Sequence, residues 1–451
     1  MKKLSAFFAL CCAACCLAAD PASPKYIFLF IGDGMSTPQR MIADEFARAS
    51  GHGPLTINEL PYHGTTRTCS ANSLVTDSAA AATAIACGEK TNNGAIGMSA
   101  DGKRSLESVA EVARDHGRKV GIVTSVTINH ATPAGFYGHR TSRGMTYLLG
   151  LDLINSGFDY FGGGGFEPVG ESQRNSTDYR GDLYELAAKA GYRIVSTRGD
   201  FESLKPGCGK VFARGASHAL PYFLDMAEGD LKLAEFVAKG IELLSDAPKG
   251  FFMMVEGGSI DWCGHANDAA TNLNEVLQLD LAVREAMKFY REHPEDTLIV
   301  VTGDHETGGM SMGFAGTGYA MYVDRLVNQK CSPGKFAGIL REARKQKADF
   351  SFEDAKALIS RYFGFDFTGD SVMKMTPHDL ERLEQAFKEG NGKVADACRR
   401  IMSEKAGVGW TSGSHTALPV LTTSIGPCSQ EFTGFYENTE LSKRLKAILL
   451  K

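Results

Sequence analysis

Acids and imidazoles recur in this sequence at the ends of short apolar runs. Ile31 is followed by Gly32-Asp33-Gly34, and Val255 by Glu256 and then Asp261 and His265. Thr302 is followed by Asp304 and His305, and His415 stands just before the stretch LPVLTTSI. Each has an ordinary structural explanation taken alone: a turn acid, a helix cap, an exposed i,i+4 pair. Together they form a donor set of carboxylate oxygens and imidazole nitrogens, which suits Zn²⁺ and harder divalent cations. Ser78 lies in LVTDSAAAATAIACG (74–88), at the start of a run of small residues. It reads either as the N-cap of a close-packed helix or as a nucleophile at a helix N-terminus, where free N–H groups and the dipole favour a phosphate. The segment NHATPAGFYGHRTSR (129–143) adds Thr132, a hydroxyl for a cation such as Mg²⁺, and Arg143, a bidentate partner for phosphate oxygens.

These residues need a scaffold that brings distant segments together. Lys25–Ile31, Val120–Thr124, Gly250–Val255 and Thr297–Thr302 are short, apolar and rich in β-branched or aromatic residues, as buried parallel strands are. Amphipathic helical patterns alternate with them, at Ser105–His116 and at Asn272–His293. This alternation predicts an α/β fold: a doubly wound, mostly parallel sheet with helices on both faces, with ligands bound beyond the carboxyl ends of the strands. From about 313 to 409 the texture changes to charged amphipathic segments with helix starts at Ser351 and Thr376, read as a helical insertion.

The chain has 451 residues and a net charge of −5, with no basic run that would argue for nucleic acid. Its first residues, MKK and then LSAFFALCCAACCLAA, read as an export signal of about 1–19, cleaved near Ala19, with a single catalytic domain over 20–451. A lipoprotein anchor at Cys15 is the weaker alternative, and no later segment reaches spanning length, so a periplasmic or extracellular location is expected. Four of the 11 cysteines lie in that signal; the other seven contain no C-x-x-C pair, which disfavours a thiolate zinc site and leaves an odd number for disulfides.

With these parts assembled, the chain resembles the alkaline phosphatase family, in its serine-nucleophile branch. The matching stretches are FIGDGM (30–35), VTDSAAAATA (75–84), HATPA (130–134) with Arg143, VEGGSIDWCGHAND (255–268), VTGDHETGG (301–309) and GSHT (413–416), in family order. The resemblance implies hydrolysis of small phosphate monoesters through a phosphoserine on Ser78, with Arg143 binding phosphate. It implies two Zn²⁺ and one Mg²⁺. One zinc falls to Asp261, His265 and His415, and the other to Asp33, Asp304, His305 and the Ser78 oxygen. The third ion falls to Asp33, Thr132 and Glu256. A homodimer is compatible with it, and the insertion would shape the pocket rim or the dimer contact.

Two positions depart from the best-known bacterial pattern: His130 stands in place of an acid and Trp262 in place of a basic residue, both beside the phosphate and the third ion. An imidazole there removes a negative charge, so the third site is expected to hold Mg²⁺ less tightly and to accept Zn²⁺ or Co²⁺. The competing activities are a metal-dependent phosphodiesterase or mutase of the same superfamily and a silent phosphate or metal binder. A sulfatase is disfavoured by the absence of C-x-P-x-R or S-x-P-x-R around Ser78.

Overall fold

The run YIFLFIG forms strand β1 (Tyr26–Gly32), buried along its whole length in the middle of a ten-stranded sheet. The computed structural model describes residues 23–451; the export signal expected at 1–19 lies outside the described residues. The remaining sheet strands are β2 (Tyr62–Arg67), β3 (Lys119–Thr124), β4 (Tyr160–Gly163), β5 (Tyr192–Val195) and β6 (Lys210–Arg214). They are completed by β7 (Phe251–Gly257), β8 (Thr297–Gly303), β9 (Val420–Ile425) and β10 (Gly434–Glu437). In space they run β10-β2-β9-β8-β1-β7-β3-β4-β6-β5. The block from β8 to β5 is parallel throughout, and β9 is antiparallel to both β8 and β2.

Strands β1, β7 and β8 are buried at every residue, because helices cover both faces of the sheet. Alternate residues therefore feed two cores. Phe28 and Phe30 face one, with the long helix Ala269–Glu292; Ile27, Leu29 and Ile31 face the other, with Ser78–Cys87 and Thr439–Leu449. The expected strands agree with the observed ones to within two residues. The helix expected from Ser105 begins instead at Val109, because Ser108 and Glu111 close a capping box there.

Residues 333–406 form four helices, Pro333–Gln346, Phe352–Phe363, Pro377–Glu389 and Asn391–Ala406, with Ser351 and Thr376 as two of the N-caps. A short antiparallel pairing, Ser311 with Gly409 and Met312 with Val408, closes the excursion at its base. Phe336, Leu340, Ile359, Leu383 and Ile401 join the same apolar core as Phe28 and Phe30, so these helices are not a separately cored unit. No helix among the described residues is long and apolar enough to cross a membrane. Cys69, Cys87, Cys208, Cys263, Cys331 and Cys398 are free thiols.

Candidate metal and phosphate site

Ser78 opens helix α1 (Ser78–Cys87), but it does not cap it. The cap is Asp77, whose Oδ1 accepts from the Ala80 N–H at 3.0 Å. Ser78 is therefore the first helical residue, and its hydroxyl is released from capping duty. Its Oγ lies 3.2 Å from His305 Nε2, on a side chain only 1% exposed. The run of Ala behind it is buried on all sides, which lets α1 pack closely below the site.

Three imidazoles converge on this point with their tautomers fixed from behind. His265 Nδ1 donates to the Gly413 carbonyl at 2.7 Å, and His415 Nδ1 donates to the Thr76 carbonyl at 2.9 Å. Their Nε2 atoms then face each other as bare lone pairs 3.1 Å apart, each 3.4 Å from an oxygen of Asp261. Such an arrangement calls for a cation between them. His305 Nε2 is 3.3 Å from both Asp33 Oδ1 and Asp304 Oδ2. The Thr307 hydroxyl donates to Asp261 Oδ1 at 2.5 Å and accepts from His305 Nδ1 at 3.3 Å, so His305 also presents an unprotonated Nε2.

The carboxylates carry the opposite imbalance. Asp33, Glu256 and Asp304 are fully buried, and Asp33 Oδ1, Glu256 Oε1 and Asp304 Oδ2 have no hydrogen-bond partner. Burial, with Asp304, Asp261 and Glu256 adding repulsion, pushes the Asp33 carboxyl well above its usual range. Burial likewise pushes Glu256 up to about 8 and Asp304 up to about 7. Asp261 is different: burial disfavours its charge, but a positive charge on the adjoining rings, His415 above all, lowers it well below the usual carboxylate range, and Asp261 in turn raises His415. Burial, with the neighbouring His415, depresses His305. Orphaned buried oxygens beside unprotonated imidazoles fit bound divalent cations, which would satisfy both.

Donor atoms gather in three groups: Asp261 with His305 and His415; Asp33 with Asp304 and His305; Asp33 with His130 and Glu256. His305 thus belongs to two groups, whereas the expectation gave it to one. His265, half-open to solvent, adjoins the first group, its Nε2 3.1 Å from His415 Nε2 and 3.4 Å from Asp261 Oδ2. His130 joins the third group alongside Thr132, whose Oγ1 donates to Asp33 Oδ2 at 3.2 Å. Arg143 reaches the mouth of the site, held by Asp77 Oδ2 at 3.2 Å and by His130 Nε2 at 3.2 Å. His130 in turn meets the Trp262 ring edge-on at 6.1 Å between centroids. Burial and the Arg143 charge push the His130 pKa down to about 4, so it is neutral at ordinary pH. Gly34 has φ +75°, and a Cβ there would lie 2.8 Å from the Asp261 backbone, so the Asp33 turn admits only glycine.

Sequence comparison agrees with this geometry. The alkaline phosphatase family model matches residues 24–450. The chain belongs to the alkaline phosphatase family. Its relatives include alkaline phosphatase 4 of Bacillus subtilis, 30% identical over 95% of this chain and 90% of that protein. The repressible alkaline phosphatase of Saccharomyces cerevisiae is 31% identical over 94% of this chain and 81% of that one. Among solved structures, the cold-active alkaline phosphatase of a psychrophilic Shewanella superposes with a TM-score of 0.81 at 29% identity, covering 94% of this chain and 100% of that one. The alkaline phosphatase of the Antarctic bacterium TAB5 superposes at 0.67 with 26% identity, covering 95% and 99%. Two histidine variants of that Antarctic enzyme were solved with Mg bound in a site called M3. By this membership the protein is a phosphoric monoester hydrolase of a metal-dependent family.

Asp77, Thr307 and Thr124 were not foreseen as parts of the site. Asp77 does two jobs, capping α1 and holding Arg143; Thr124 donates a short hydrogen bond to Glu256 Oε2. The sequence signal for Asp77 was present, an acid adjoining Ser78. Thr124 carried none, since a hydroxyl inside an apolar strand reads as β-propensity, and Thr307 follows Glu306 in GDHETGG with nothing to mark it.

Proposed function

We propose that this alkaline phosphatase acts through a phosphoserine on Ser78, at a site holding two Zn²⁺ and a third ion. The observation that carries the reading is the position of Ser78 Oγ: buried, freed from capping, and 3.2 Å from the one imidazole shared by two donor groups. Asp261, His265 and His415 would hold one zinc, and Asp33, Asp304 and His305 the other. Asp33, Glu256 and Thr132 would hold the third ion, with His130 close enough to favour Zn²⁺ or Co²⁺ alongside Mg²⁺. Bound there, such cations would neutralise the buried carboxylates, lower the pKa of a hydroxyl or water, and offset charge on a leaving oxygen.

The chain's own groups supply positioning. The N-terminus of α1 points its free N–H groups and dipole at the phosphate. Arg143, kept in register by Asp77, offers two parallel donors to the terminal oxygens, which favours the dianion of a monoester over a diester. Ser78 Oγ attacks phosphorus as the bond to the leaving alcohol breaks, and the alcohol departs with a proton. Water then attacks phosphorus, the Oγ–P bond breaks, and the serine hydroxyl and inorganic phosphate are regenerated. The basic and then apolar first residues support an exported enzyme.

Ser78→Ala tests this directly. Turnover of p-nitrophenyl phosphate is expected to fall by several orders of magnitude while metal content stays at the wild-type level. Activity retained in the variant overturns the assignment. Faster turnover of bis-p-nitrophenyl phosphate than of the monoester by the wild type would favour the phosphodiesterase alternative.

A further inference from the structure

Glu306 follows His305 and belongs to none of the three donor groups, yet it is fully buried. Four hydrogen bonds end on its carboxylate. Oε1 accepts from Gln39 Nε2 at 2.7 Å and from the Met310 N–H at 3.0 Å. Oε2 accepts from the Gly309 N–H at 3.0 Å and, in a short hydrogen bond, from the Thr416 hydroxyl. These donors fill the lone-pair positions that a carboxylate offers. The two N–H bonds are local. Gly308 and Gly309 stand at φ 95° and 57°, so the chain turns back over its own glutamate. With these alone, Glu306 would be the cap of one tight turn. The other two donors come from segments 267 and 110 residues away, and each of those segments carries a proposed metal ligand.

Thr416 adjoins His415. It pairs with Glu306 in the short antiparallel ladder that sets His415 opposite Thr307. Gln39 lies on the helix Thr37–Ala49, just past the Asp33 turn, and is fully buried. Its Oε1 accepts from the Ser36 N–H at 3.1 Å, and its Nε2 reaches the Thr307 carbonyl at 3.2 Å as well as Glu306. The same turn meets Asp304 directly, where the Gly34 N–H donates to Oδ1 at 3.0 Å. The segments that carry Asp33, Asp304 with His305, and His415 are thus joined at one buried carboxylate. Those residues come from both proposed zinc sites.

We propose that Glu306 is a positioning residue for the metal centre, holding the ligand segments of both zincs in binding register before any cation arrives. The inference rests on the two-zinc reading above and adds to it a residue outside every donor group. Hydrogen bonds to a carboxylate are stronger than neutral ones, more so in a buried setting, so this group fixes its donors firmly. Segments fixed in advance lose less conformational freedom when a cation binds. Partners behind the ligands are worth about 10- to 100-fold in metal affinity. Glutamine is no substitute: its NH₂ group would face an N–H donor and leave it unpaired.

The test counts the zinc retained by the enzyme in excess Mg²⁺ at graded concentrations of a competing chelator. Thr416→Val keeps the strand shape and the Glu306 turn but removes the bond to the His415 strand. One of the two zincs should then be lost at about tenfold lower chelator than in the wild type. Thr416→Ser keeps the hydroxyl and should retain zinc as the wild type does. Gln39→Met removes the link to the Asp33 turn and should weaken the other zinc to a similar degree. Glu306→Gln should weaken both. So should the double variant Thr416→Val, Gln39→Met, which leaves the carboxylate in place and carries the test should Glu306→Gln fail to fold. A glutamate that only caps its own turn would leave zinc retention in Thr416→Val and Gln39→Met at the wild-type level, whatever their denaturation midpoints. That result, with two zincs on the wild type, overturns the proposal and leaves the two-zinc reading standing. A wild type that holds fewer than two zincs overturns that reading and this role with it.

Discussion

Thr307 holds two of the proposed ligands with one hydroxyl, and replacing it with the isosteric Val isolates that role. In Thr307→Val the shape, the strand pairing with His415 and the buried methyl are kept, while the acceptor for His305 Nδ1 at 3.3 Å and the donor to Asp261 Oδ1 at 2.5 Å are both lost. Thr307 is fully buried, so no water replaces them. The orphaned His305 N–H should cost about 1–3 kcal/mol of stability. It also frees the ring to flip and to rotate. Loss of an outer hydrogen bond to a metal-binding imidazole weakens metal affinity by about 10- to 100-fold. The assay is zinc affinity by competition against a chelator, paired with denaturant midpoints of the chelated protein. Thr307→Ser is the control: it keeps the hydroxyl, gives up one methyl at about 1 kcal/mol, and should hold zinc as the wild type does. Wild-type zinc affinity in Thr307→Val would refute the idea that this hydroxyl sets the ligand geometry.

Asp77→Asn keeps a good N-cap but removes the charge that orients Arg143, so stability should change by less than about 0.5 kcal/mol. Inhibition by inorganic phosphate should weaken several-fold, a loss on the order of 1 kcal/mol, read from Ki. His130→Asp places a carboxylate beside Asp33 and Glu256 and should shift the third site toward Mg²⁺, measured as higher Mg²⁺ content and a larger activation by added Mg²⁺. The Glu256 carboxyl, raised to about 8 by burial, contributes stability that is fully present below about pH 4.5 and is lost as pH rises through 8. Denaturation midpoints of the chelated protein should therefore fall between about pH 4.5 and 8, and Glu256→Gln or saturating metal should flatten that fall. Glu275, also raised to about 8 by burial, acts in the same sense with or without metal, so the difference between the two metal states is the quantity to compare.

The sheet strands and the acids behind them were legible in the sequence because both are local. An apolar run buried on both faces has a recognisable composition, and Asp33, Glu256 and Asp304 lie within a residue or two of such runs. Six motifs in family order supplied the rest of the residue set. The direction of β9 was not local. His415 precedes its strand, which in a parallel sheet would put it at the opposite edge from Asp33 and Asp304. Because β9 runs antiparallel to β8, the start of β9 meets the carboxyl end of β8, and His415 arrives beside Asp261. Strand direction depends on how the chain returns through the insertion, and no residue pattern near His415 encodes it. The cap of α1 was similar. Asp77 and Ser78 are both good caps by type, and only the folded turn, with Asp77 accepting from Ala80 and Gly94 while holding Arg143, decides which side chain is used up and which is free. The sequence determined which chemical groups this protein owns; the tertiary structure decided which of them share one donor cluster, because that depends on contacts between residues as far apart as Thr76 and His415.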